Sequence, residues 1–125
     1  PRTAFDWEVH APSLHRLLLR LHREYKADNI VITENGCSYP NAPIEGVVSD
    51  QEREDYFRQH LEACAQAIED SVPLTGYFAW SLLDNFEWAE GYSQRFGLIW
   101  VDFKTQERIP KQSAMWYKSL LCSRP

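Results

Sequence analysis

The chain has 125 residues, enough for one ordinary domain, and 44% of them are hydrophobic and 14% aromatic, which excludes a disordered tail. A net charge of -5 with no run of Lys or Arg argues against a nucleic-acid partner and favours a neutral or cationic one. No stretch approaches the ~20 apolar residues of a membrane span.

Residues 12–26, "PSLHRLLLRLHREYK", place Leu14, Leu17, Leu18, Leu21 and Tyr25 on one helical face, with Pro12 in the first turn. The β-branched run "IVIT" follows, without polar alternation, and predicts a strand covered on both faces that ends on Glu34, Asn35 and Gly36. Residues 37–48, with Pro40, Pro43 and Gly46, read as a long loop. Ser49 with Glu52 three residues later forms a capping box, opening a helix whose face is Phe57, Leu61, Cys64, Ala65 and Ile68. That helix should stop near Asp70 and Ser71, and its charged start, residues 50–55, reads as solvated and without function. "LTGYFAWS" predicts a second strand running into the polar loop "LLDNFEWAEGYSQR". "FGLIWVDF" reads as a further extended piece and "KQSAMWYKSLL" as a closing helix.

This order is an α/β pattern with a parallel sheet, and each helix is long enough for a crossover. Ligands in such folds bind beyond the carboxyl ends of the strands, so the loops after the two strands should face one cleft.

A glutamate at a strand tip is most often a silent surface acid. Glu34, however, would be held on a rigid element, with Asn35 and Gly36 permitting a sharp exit, which is how a nucleophile is mounted. Asp84 and Glu87 lie among Trp80, Phe86 and Trp88. Chemistry leaves two readings of them open: a capped turn with its rings in the core, or a sugar site in which acids accept hydrogen bonds from hydroxyls and indole faces pack on the ring. His10, His15, His22 and His60 pair with no Ser or Cys nucleophile and receive no role. Cys37, Cys64 and Cys122 show no CxxC pair or metal-ligand spacing, and read as free thiols of a reducing, cytoplasmic compartment. No signal peptide is visible, but the chain opens on Pro1 rather than Met, so we expect a true N-terminus upstream of it.

"ITENG", then "GYFAWSLLDNFEWAEGY" and "RFGLIWVDF", closely resemble the nucleophile motif and the substrate-binding block of glycoside hydrolase family 1, the β-glucosidase family. "DWEV", "LLLRLHREY", "HLEACAQAI" and "RIPKQSAMWY" extend the resemblance over essentially the whole chain. It implies that residues 1–125 are the C-terminal part, about the last two strand-helix units, of a (β/α)8 TIM barrel, which typically needs about 250 residues.

It further implies a retaining β-glucosidase in which Glu34 is the nucleophile. Glu87 and Trp88 would hydrogen-bond the sugar hydroxyls, Trp80 would form the platform beneath the ring, and Phe96 would line the same subsite. Such a mechanism needs a second, protonated carboxyl group. The family's acid/base glutamate sits in a "NEP" triplet, which this chain lacks, so the piece alone is expected to be inactive. The resemblance implies no metal or organic cofactor, and a β-glucoside or cello-oligosaccharide as the partner. Family enzymes for 6-phosphorylated sugars carry a small residue at the Glu87 position, so a non-phosphorylated glycone is expected, with galactose and fucose as relaxed substrates. A catalytically inactive sugar-binding relative and a thioglucosidase remain alternatives. Ser71 stands where many relatives carry Gly, which predicts a weaker helix stop.

Overall fold

The computed structural model describes residues 1–123. Helix α1 (Ala11–Tyr25) precedes strand β1 (Ile30–Asn35), helix α2 (Gln51–Glu69) and strand β2 (Leu74–Ala79). A 3₁₀ turn at Trp88–Glu90, a hairpin of β3 (Ile99–Val101) and β4 (Arg108–Pro110), and helix α3 (Gln112–Cys122) complete the order. β1 and β2 pair in parallel, with Ile32 opposite Tyr77 and Asn35 opposite Ala79. β3 pairs antiparallel with β4, a partner the sequence reading did not supply.

α1 and α2 pack on each other, α2 also meets β2, and both helices bury residues against β1. Between them Leu18, Ile30, Cys64, Ala67 and Val72 form a buried cluster, flanked by Leu14, Leu19, Leu21 and Ile32. A second cluster, of Val9, Cys37, Tyr56, Phe57 and Leu98, lies toward α3 and takes Tyr77, Ala79 and Trp116 at its margin. Two expected faces are rotated. On α1, Leu17 and Tyr25 are exposed, and Leu19 joins the core instead. On α2 the buried arc runs through Arg53, Tyr56, Phe57, His60, Ala63, Cys64 and Ala67, leaving Ala65 and Ile68 outside. The charged start of α2 is divided: Gln51, Glu52 and Asp55 are exposed as expected, whereas Glu54 is buried and Asp50 and Arg53 are fully buried and pair at 2.6 Å.

The expected capping box is absent: Asp50 is the N-cap residue, and the Ser49 hydroxyl donates to Gln112 Oε1 at 3.0 Å. Asp50 caps a different helix. Its Oδ1 accepts the Ser113 N–H at 2.8 Å and its Oδ2 the Ser113 hydroxyl at 2.6 Å, at the start of α3. At the other end of α2, Ser71 N–H donates to Ile68 and Val72 N–H to Ala67, a complete Schellman motif with Ser71 in the left-handed position at φ 69°. The helix stop is fully formed, and a serine carries the backbone conformation that glycine adopts without steric cost.

β1 is covered on one face only. Ile30 and Ile32 meet the helices, while Val31 and Phe78, both packed around Gly76, face outward with exposures of 41% and 61%. A groove lined by Leu61, Cys64, Ile68, Leu74, Tyr77 and Leu121 opens between α2, β2 and α3. Among the described residues the β1–β2 sheet has two strands, so each keeps one edge without a ladder partner. Apolar faces and open edges together drive association. The purified 125-residue chain is therefore expected to bind a hydrophobic dye and to elute ahead of a monomer in size-exclusion chromatography, and Val31→Lys with Phe78→Lys should reduce both signals.

Candidate active site

The parallel pairing sets the strand tips side by side. Trp80, the first residue past β2, donates its N–H to Asn35 O at 2.8 Å, so the end of the second strand is bonded to the end of the first. Gly36 follows at the point of closest approach, where an added Cβ would fall on the Trp80 carbonyl oxygen. This is the physical reason for the glycine in "ITENG". The peptide between Trp80 and Ser81 is cis.

Beyond these tips lies a cavity of about 480 Å³ lined by Trp7, Glu34, Asn35, Gly36, Tyr56, Trp80, Glu87, Trp88 and Phe96. All five residues singled out in the sequence, Glu34, Trp80, Glu87, Trp88 and Phe96, thus meet at one place. Among the described residues, neither the Glu34 nor the Glu87 carboxylate is held by an internal hydrogen bond or ion pair, so both are free to engage a ligand. Glu87 is placed by its backbone: its N–H donates to Gly91 O at 2.6 Å and its carbonyl accepts from Glu90 N–H at 2.9 Å, closing a tight turn. Trp88 is 82% exposed at the cavity rim. Phe96 is buried and packs 6.0 Å from Trp7, which stacks on Phe5 at 4.8 Å.

Asn35, given no role from sequence, is clamped from both sides. Tyr77 Oη donates to Asn35 Oδ1 at 2.7 Å, and Asn35 Nδ2 donates to Tyr56 Oη at 3.2 Å. Burial pushes the Tyr56 phenol up to about 12, and raises that of Tyr77, so both hydroxyls stay neutral donors and acceptors. Tyr56 in turn stacks on His60, whose ring Nδ1 meets the Tyr56 carbonyl at 2.7 Å. Burial lowers the His60 pKa, so the ring is a neutral packing group. The Cys37 thiol is pushed up to about 12, chiefly by burial, which leaves it inert as a nucleophile.

Trp7, Asn35 and Tyr56 are cavity residues that reading from sequence missed. Trp7 lay inside the flagged "DWEV", whereas Tyr56 on a helix carries no signal that separates it from core.

The sequence matches Glycosyl hydrolase family 1 over residues 1–124. The chain belongs to this family. A 1,4-beta-D-glucan glucohydrolase of Thermotoga neapolitana is 49% identical over 122 residues, covering 97% of this chain and 28% of the relative. A 6-phospho-beta-galactosidase of Staphylococcus aureus is 48% identical over 123 residues, covering 96% and 26%. The solved beta-glucosidase from Thermotoga maritima in complex with glucoimidazole superposes with a TM-score of 0.96 at 46% identity, covering 98% of this chain and 28% of that one. This chain thus spans little more than a quarter of these relatives, and its alternating units correspond to part of their TIM barrel. In a closed barrel of this kind neighbouring strands pair with such open edges, and inward strand faces pack against side chains from across the interior.

Because the Gly36 position abuts backbone rather than a movable side chain, Gly36→Ala is expected to displace the Trp80 tip at a cost of about 3 kcal/mol or more. A lowered urea midpoint of the complete barrel, described below, checks this; an unchanged midpoint would show that the two tips do not touch.

Proposed function

We propose that this chain supplies the nucleophile and the glycone-binding half of the active site of a retaining β-glucosidase. The observation that supports this best is the shared cavity: a carboxylate at the tip of β1 faces a second carboxylate and two indoles carried beyond the tip of β2. A 480 Å³ cavity is on the scale of small-molecule sites, and flat apolar walls with a few convergent polar groups suit a sugar ring.

In the proposed reaction the Glu34 carboxylate attacks the anomeric carbon. The bond to the leaving group breaks as a second carboxyl group, in the barrel segment that this chain does not span, protonates the departing oxygen. A water then attacks the glycosyl ester, giving its proton to that same group and releasing Glu34. Trp80 supports the sugar face, Glu87 and Trp88 bind its outer hydroxyls, and Phe96 closes the wall.

Relatives named for phosphorylated and unphosphorylated sugars are nearly equally similar to this chain, so overall identity does not select the glycone. Glu87 does, because a fixed carboxylate repels a sugar phosphate and accepts hydrogen bonds from hydroxyls. Glucose is the proposed glycone, with galactose and fucose as weaker substrates. A cytoplasmic location accords with the three free thiols.

The test uses a complete barrel, made by joining this chain to the remaining segment of the Thermotoga maritima relative. Glu34→Ala is expected to lower turnover of an aryl β-glucoside by roughly 10⁵-fold, the scale of nucleophile deletion in other covalent mechanisms. Glu87→Ala should lower kcat/KM by about 10² to 10³, from the loss of charge-assisted hydrogen bonds to the sugar. After a 2-deoxy-2-fluoro glucoside, mass spectrometry should find the label on Glu34. Normal turnover by the Glu34 variant, or a label elsewhere, would sink the nucleophile assignment.

A further inference from the structure

Behind the cavity sits a buried carboxylate that the proposed reaction does not use. Asp84 lies three residues before Glu87, in a loop whose regular structure is limited to the 3₁₀ turn. Its side chain is fully buried and fully engaged. Oδ1 accepts from Lys111 Nζ at 2.9 Å and from the Gly97 N–H at 2.9 Å, and Oδ2 accepts from Arg95 Nη1 at 2.7 Å. Lys111 is equally buried, at the entrance to α3, and its own N–H is fixed to Leu98 O at 3.0 Å. Gly97 admits no side chain here, because an added Cβ would collide with the Asp84 backbone N.

Desolvating an ammonium and a carboxylate costs several kcal/mol per ion, so such a pair adds little net stability over an apolar pair of the same shape. What it adds is direction: Asp84 has donors on both oxygens, and a shift of the loop would break all three contacts together. The same loop carries Trp80, Glu87, Trp88 and Phe96 to the cavity.

We propose that Lys111, through Asp84, is a positioning residue that sets where the Glu87 carboxylate meets the outer hydroxyls of the glycone. This rests on the reading of Glu87 given above. Lys111 itself touches no substrate; it acts by fixing the loop.

The experiment compares kcat/KM for p-nitrophenyl β-glucoside and β-xyloside, which differ only in the hydroxymethyl group of the sugar, in the complete barrel. Lys111→Met is expected to lower the glucoside-to-xyloside ratio by about tenfold, the weight of one well-placed charged hydrogen bond, and Lys111→Arg to recover part of it. Glu87→Ala, measured alongside, should lower the same ratio. If Glu87→Ala leaves the ratio unchanged, the glycone reading falls and takes this inference with it. If Glu87→Ala lowers the ratio while Lys111→Met leaves it unchanged, or costs both substrates equally, the positioning role alone is overturned.

Should Lys111→Met fail to fold, the unsubstituted barrel decides. The Lys111 ammonium is lowered to about 8, chiefly by burial, with Arg53 of α2 adding repulsion and Asp84 and Asp50 opposing it. Arg95 pairs with the other oxygen of Asp84, at 2.7 Å. As pH rises through that value the charged pair is lost, so the ratio should fall between about pH 6.5 and about 9.5, while groups acting in catalysis affect both substrates alike. A flat ratio overturns the proposal.

Discussion

The Arg53 guanidinium is the interaction on which the arrangement of this chain turns. It is fully buried on α2, and its donors reach four acceptors: Asp50 Oδ2 at 2.6 Å, Cys37 O at 3.4 Å, Tyr39 O at 3.5 Å and Arg95 O at 2.6 Å. Cys37 lies just past Gly36 on the loop leaving β1, and Arg95 lies on the loop leaving β2. Asp50, neutralised by Arg53, caps α3 through Ser113. One cation thereby ties both cavity-side loops and the closing helix together, and Ser38 reinforces the junction by donating to Gln94 Oε1 at 2.6 Å. Left alone in this interior, the guanidinium would be costly, so every one of these acceptors is part of the condition for burying it.

This explains why some parts of the molecule could be read from sequence and others could not. "IVIT" and "LTGYFA" are β-branched or aromatic runs bounded by turn residues, and local pattern suffices to place both strands and to put their tips together. The two-strand logic then carried Glu34, Trp80 and Glu87 to one cavity. The faces of α1 and α2 were less legible because periodicity counts apolar side chains, and here the inward arc of α2 includes Arg53, Glu54 and His60. A charge at a helix start looks solvated until a partner is known, and Arg53's partners lie as far away as Arg95.

The same limit applied to capping. Ser49 and Glu52 have the spacing of a capping box, but a spacing cannot reveal that the Ser49 hydroxyl has a competing acceptor on Gln112, sixty-three residues on. Ser71 shows the converse: the left-handed position expected to weaken the stop is present, and the two Schellman hydrogen bonds form around serine. Val72 and Ala67, both buried in the helix–strand core, supply the apolar contact that accompanies the motif. Tertiary burial at that end compensates what the local residue choice gives up.

The chain carries 18 acidic residues, and the fold sorts them by their partners rather than by sequence context. Asp50 and Asp84 spend every oxygen on internal donors and do not line the cavity. Glu34 and Glu87 face into it with no internal partner among the described residues. That division has a physical logic: a carboxylate already saturated by Lys and Arg has little left for a ligand, whereas one without partners keeps its full capacity to attack or to accept. Asp84 and Glu87 stand three residues apart in the same "DNFE" stretch and fall on opposite sides of it. Fixing one carboxylate in the interior is what lets its neighbour remain open and still be held in place.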